Sequence, residues 1–129
     1  MSHFAVYSCN VKNMEYVKRG LLEMGLDYKE NVIIEDWYGQ KRKAELAVIK
    51  DGKLLPLGWV RNEKTNELEL QADWFKIPFS QKQFTDKISQ LHSKYHVLQV
   101  CEENRWHVDE DNITVNENGE IEILAVQFA

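Results

Sequence analysis

The sequence predicts an α+β fold: a two-layer sandwich with two helices on one face of a curved antiparallel sheet. Three observations carry that expectation. Alternating apolar and polar runs are separated by the tight-turn pairs Asp51-Gly52 and Asn118-Gly119, whose residues tolerate positive φ. Two segments place apolar residues at helical spacing, Met14/Val17/Leu21/Met24 and Phe84/Ile88/Leu91/Tyr95/Leu98. Between them, Leu68, Leu70, Ala72 and Trp74 alternate with Glu67, Glu69, Gln71 and Asp73, the pattern of a strand with one buried and one wet face.

The elements follow in order. His3 to Val11 alternates, with Phe4 and Val6 on one face and Ala5, Tyr7 and Cys9 on the other, and so reads as a strand. Asn13 can cap the first helix, Glu15 suits its first turn, and Gly25 stops it. Tyr28 to Asp36 is a second strand, rich in β-branched residues, and Trp37-Tyr38-Gly39-Gln40 is a turn. Lys41, Arg42 and Lys43 lead into a strand through Ala44 to Lys50, and the return strand lies near Leu57 to Arg61. Asn62 to Asn66 is a polar turn before the alternating strand, which Pro78 ends. Ser80 with Gln83 forms a capping box for the second helix, flanked by the staple Phe79/Phe84. Trp106–Val108, Ile113–Val115 and Ile121–Phe128 are further strand segments. The order is β-α-β-β-β-β-α-β-β. Its first seven elements match one half of a TATA-binding-protein-like fold, an analogy of topology that carries no function.

A length of 129 residues fits a single domain, 1–129. Hydrophobic residues at 43% and charged residues at 29% exclude a disordered chain, a collagen-like chain and a disulfide scaffold. A net charge of −5 argues against a general nucleic-acid coat, which needs a positive field. No apolar run reaches the ~18 residues of a membrane span, and Met1-Ser2-His3-Phe4 opens neither a signal nor a transit peptide. Cys9 and Cys101 are far apart and outside any CxxC. They read as reduced thiols in a cytoplasmic compartment, each a small buried hydrophobe.

Candidate chemistry is sparse. His92 and His96 are four apart on the second helix, a spacing that puts two imidazoles on one face as metal ligands require. No glutamate follows His92 and no second ligand pair exists, so the reading is two histidines on a half-exposed flank and no metal. Trp37, Tyr38, Lys41, Arg42 and Lys43 combine aromatics with cations, as single-strand binders do. A charged edge that discourages strand pairing explains them better. Asp109, Glu110 and Asp111 lack calcium-loop spacing. Glu67, Glu69 and Asp73 read as the wet face of a sheet. No nucleophile elbow, phosphate loop or dinucleotide fingerprint is present. An enzyme is not expected, and neither is a cofactor.

The start Met-Ser-His-Phe, Met24-Gly25-Leu26-Asp27-Tyr28, Tyr38-Gly39-Gln40, Ala44-Glu45-Leu46 and Gly58-Trp59 occur in an order that resembles the Ycf-thirty-five family. Glu69-Leu70, Asp73-Trp74-Phe75, Pro78-Phe79-Ser80 and Tyr95-His96 continue it. That family is an open reading frame of algal plastids and cyanobacteria with relatives in other bacteria, also catalogued as a domain of unknown function. The resemblance covers about residues 1 to 98. It implies a small soluble protein without an established activity, with an accessory or regulatory role connected with photosynthesis in phototrophs. In an alga it would place the protein in the plastid stroma. It supplies no catalytic residues, and His96 matches its pattern whereas His92 does not.

Two functions follow as expectations. The first is an interaction protein that docks on a protein partner or forms a homo-oligomer, anchored by a surface aromatic such as Trp37 or Trp59. The second is a small-ligand binder or cryptic enzyme with a pocket between sheet and helices. It would use His3, Tyr38, Gln40, Tyr95 and His96, with His96 titrating near neutrality.

Overall fold

Side-chain caps start both helices. The Asn13 Oδ1 accepts the Glu15 amide at 2.9 Å, and α1 runs over Met14–Glu23. The Ser80 Oγ accepts the Gln83 amide at 3.3 Å, and α2 runs over Gln81–Glu103. The remaining elements of this computed structural model are β1 (Ala5–Tyr7), β2 (Asp27–Glu35), β3 (Lys41–Lys50), β4 (Lys53–Arg61), β5 (Leu68–Ala72), β6 (Trp106–Val115) and β7 (Ile121–Gln127). A single 3-10 turn covers Trp74–Lys76. The structure describes residues 3–9, 11–104, 106–115 and 121–127, the last two by their backbone.

The α+β class and the element order are as expected. The main sheet is antiparallel with strand order β1-β5-β4-β3-β2, and β6 pairs with β7. Both helices cover one face. Val17 and Leu21 of α1 and Phe84 and Ile88 of α2 are buried against Leu46, Val48, Leu57, Trp59 and Leu70 of the sheet. α1 closes with Gly25 at φ +77, and the Leu26 amide returns to the Leu21 carbonyl at 2.9 Å, the bond pattern of a glycine-terminated helix. Asp51 and Gly52, at φ 51 and 77, make the predicted tight turn.

Some boundaries differ, each for a local reason. α2 continues past Leu98 because Cys101, 3% exposed, extends its buried stripe. β4 begins at Lys53 and contains Pro56. Between the pairs Ala47↔Gly58 and Ile49↔Leu54 the register shifts, and such a bulge tolerates proline's missing donor. Trp74 lies beyond the strand, in the 3-10 turn, yet its Nε1 donates to the Phe79 carbonyl at 2.7 Å and its ring still packs on the core. The segments near Trp106 and Ile113 form one strand, irregular between Val108 and Ile113. The Asn118-Gly119 turn and Phe128 lie outside the described residues.

One feature departs from a sheet with a wet outer face. Leu26 and Tyr28 pack towards the helices, but Val32, Ile34 and Ala44 join Phe4, Ala47 and Val60 in a second cluster. Ala47 and Val60 neighbour Leu46 and Trp59, which face the helices, so they point to the opposite side. Phe4 precedes β1, at the far edge of the sheet from β2. The distal half of the β2–β3 hairpin therefore turns back across the outer face. The reversal occurs near Asn31, at φ 51, while pairing continues on both sides of it, Glu30↔Leu46 and Val32↔Ala44. Small residues permit the close crossing. A Cβ on Gly58 would stand 2.6 Å from the Leu46 carbonyl oxygen and 3.1 Å from the Ala44 Cβ.

Gly58→Ala should therefore destabilise the protein by about 1–3 kcal/mol, the usual cost of overpacking. Urea unfolding measures it. An unchanged midpoint would mean that the hairpin does not press on β4.

Candidate functional site

The tip of the folded-back hairpin is residues 36–40, and two buried carboxylates fix it. Asp36, 3% exposed, accepts the Tyr38 and Gln40 amides on Oδ1 at 2.9 and 2.8 Å. Its Oδ2 accepts the Phe4 amide at 3.2 Å, 32 residues away in sequence. Asp73, fully buried, accepts the Trp37 amide on Oδ2 at 2.8 Å. Gly39, at φ 81, completes the turn with its amide on the Asp36 carbonyl at 3.2 Å. An aspartate at the start of a turn accepts the amide two residues on, and here Asp36 takes the Gln40 amide as well, which closes the segment.

With the amides turned inward, the side chains turn out. Trp37 is 60% exposed, Tyr38 54% and Phe75 73%. Trp37 and Phe75 meet edge to face at 6.3 Å, and the Lys76 ammonium lies 6.0 Å from the Trp37 ring centre. Beside them a groove of about 490 Å³ is lined by Ile33, Leu54, Pro56, Trp37 and Lys76. The Arg42 guanidinium lies over the Phe4 ring at 5.5 Å.

The structure distributes the sequence candidates over three places. Tyr38 and Gln40 belong to this loop, and His3 adjoins Phe4, which the loop binds. Tyr95 and His96 belong to the seam between α1 and α2. The Tyr95 hydroxyl donates to Glu23 at 3.3 Å, and Arg19 and Lys94 flank its ring. Burial and the Glu23 charge push the Tyr95 phenol up from its ordinary value. His96 meets Tyr16 edge to face at 5.9 Å. Trp59 is a correction: it is 1% exposed, packed with Phe84 beneath α2, and is no surface anchor. Its strand is central in the sheet, so the face it occupies is core. Asp73 is a second correction, since the returning hairpin covers the end of the face expected to be wet.

His92 has a structural task. Its Nε2 accepts the Lys12 and Asn13 amides at 3.3 and 3.1 Å, just before α1. A nitrogen that accepts two amides carries no proton, and it is not open to a metal. Burial, and then the neighbouring His96, hold the His92 imidazole below its ordinary value. Cys9 and Cys101 are free thiols, and burial pushes Cys9 up, which leaves it a poor nucleophile. The side chains of Asp109, Glu110 and Asp111 lie outside the described residues. Among the described residues no helix is long and apolar enough to cross a membrane.

Phe75, Lys76, Asp36 and Asp73 were not singled out as site residues from sequence. A signal existed: Asp-Trp occurs at 36–37 and again at 73–74, and the Asp73 carboxylate of the second pair accepts the Trp37 amide of the first.

Comparison with known proteins adds a family without adding an activity. A family model described as a protein of unknown function, DUF1257, matches residues 20–124. An uncharacterized protein ycf35 of Guillardia theta is 25% identical over 124 residues, 95% of this chain and 94% of that one. An uncharacterized protein ycf35 of Pyropia yezoensis is 25% identical over 100 residues, 77% of each chain. No solved structure matches.

Two outcomes are expected. Asp36→Ala leaves buried amides without an acceptor and should cost about 1–3 kcal/mol. Hydrogen exchange should quicken first at Tyr38 and Gln40; equal protection in both proteins would show that the carboxylate does not hold the loop. The second concerns pH. His92 binds a proton less readily folded than unfolded. Its contribution is therefore complete above the unfolded value of about 6.5 and is lost as pH falls through the folded one. Thermal midpoints should drop between pH 7 and 5, and His92→Gln should flatten that interval. An identical slope in the variant would assign the drop to other groups.

Proposed function

From the premise that the chain belongs to the DUF1257 family of proteins of unknown function, we propose a non-enzymatic accessory protein that binds another protein through the Trp37/Tyr38/Phe75 surface. One observation carries the reading: Trp37 and Tyr38 are exposed on a loop whose backbone is held by buried carboxylates, and the exposed Phe75, from the 3-10 turn after β5, meets Trp37 edge to face. Exposed aromatics are costly in water unless a partner covers them. Tyr, Trp and Phe are also the residues that interfaces favour. A fixed loop loses little freedom on docking, so more of the contact energy appears as affinity. Lys76 over Trp37 adds a cation to the same surface. In phototrophic relatives the resemblance extends the proposal to a regulatory role linked to photosynthesis. A second copy of this chain is the other possible occupant of the face.

Affinity capture with purified protein, together with sedimentation at several concentrations, tests the proposal. Trp37→Ala with Phe75→Ala should reduce association at least tenfold while the unfolding midpoint stays within error, because both side chains lie outside the core. A wild-type protein that stays monomeric, with a capture profile identical to that of the double variant, would overturn it.

A further inference from the structure

A second candidate surface lies away from the aromatic loop. The turn between α1 and β2, the end of β3 and the start of α2 border an open cleft of about 390 Å³, within the range of small-ligand sites. Met24, Leu26, Phe79 and Phe84 line it, with Lys50, Gln83 and Lys87 around them. The aromatic part is rigid. Phe79 and Phe84 stack at 5.5 Å, and the Trp74 ring meets them at 6.1 and 5.8 Å. The Trp74 indole donates to the Phe79 carbonyl at 2.7 Å. Leu26 is held by the glycine turn that ends α1.

The polar groups share one sign. No carboxylate lines the cleft among the described residues, in a chain whose net charge is −5. Lys87 makes no ion pair among the described residues, and the Gln83 side chain makes no hydrogen bond among them. Lys50 reaches the Asp51 carboxylate only at 4.0 Å, and that carboxylate is 87% exposed. Two cations and an amide donor are thus available beside an apolar floor.

We propose that this cleft binds a small amphipathic carboxylate, an apolar body with one anionic head. Burial of the body supplies most of the affinity, since apolar area removed from water is the main driving term. The lysines select the head's sign and orient it; exposed ion pairs contribute little net energy but discriminate against a cation. None of the residues Trp37, Tyr38 or Phe75 takes part, so this site stands apart from the protein-binding face.

Dodecanoate, held below its micelle concentration, is the probe, and tryptophan emission reports occupancy because Trp74 packs on the floor of the cleft. Saturable binding of one equivalent is expected, with dodecylammonium at least tenfold weaker. Lys50→Glu with Lys87→Glu should weaken dodecanoate at least tenfold with an unchanged unfolding midpoint. Absence of saturation would overturn the proposal. So would equal affinity for dodecylammonium, or equal affinity in the lysine variant. Binding confined to anionic vesicles, with none to free dodecanoate, would also overturn it and mark a membrane-facing surface instead.

Discussion

Asp36 offers one carboxylate to three backbone amides drawn from two distant stretches of chain. Hydrogen bonds to a charged group contribute about 1.5–3 kcal/mol each, more than the loop could gain from its exposed side chains. The carboxylate closes the hairpin tip upon itself and ties that tip to the first strand. Asp73 adds a fourth amide from the end of β5. Without these anchors the distal hairpin would lie free of the outer face, and Phe4, Ile34 and Ala44 would be in water. The aromatic surface is a by-product of the same bonds: once the amides face inward, Trp37 and Tyr38 have only the outside.

The helix side depends on a different arrangement. Gly20 brings α1 onto α2 so closely that a Cβ there would stand 2.9 Å from the Ile88 Cδ1. Around this contact the polar residues are stitched across the seam. His92 accepts amides before α1, and Lys94 bonds Glu23 at 2.8 Å. His92, Tyr95 and His96 are thereby employed in joining helices. Residue types that suggest chemistry in a sequence are here engaged in packing and capping.

Local rules made much of the fold legible. Caps at Asn13 and Ser80, the stop at Gly25 and the turn at Asp51-Gly52 depend on neighbours within a few residues and formed as read, except that at Ser80 only half of the capping box forms. Its Oγ accepts the Gln83 amide, and the Gln83 side chain does not return to the Ser80 amide. The alternation from Leu68 to Ala72 formed as read too, and so did the stripe of α2 through Phe84, Ile88 and Leu91, whereas Tyr95 and Leu98 are half-buried. What was not legible is the return of the β2–β3 hairpin over the sheet. That depends on Gly58, Ala44 and Ala47 being small at the same crossing, a coincidence of residues far apart in sequence. Its consequences, a buried Asp73 and a covered outer face, were therefore missed. Trp59 was misplaced for a related reason. A tryptophan beside Gly58 gives no local sign of which face it takes, and its pairing with Leu46 and Leu70 decides it. Of the site, Trp37 could be read as exposed, whereas its pairing with Phe75 required the third dimension.

The returning hairpin also bears on how the chain folds. The Phe4–Asp36 and Trp37–Asp73 bonds join residues 32 and 36 apart, and loops of that length close at an entropic cost before any contact rewards them. The hairpin can cross the outer face only once β4 presents Gly58 and Val60 to receive it. The exposed aromatics thus acquire their fixed geometry among the last steps of folding. A nascent or partly unfolded chain displays the same Trp37 and Phe75 without their arrangement. Any protein that recognises the arrangement will distinguish a finished molecule from an unfinished one, and by binding the finished form alone it will draw the folding equilibrium towards it.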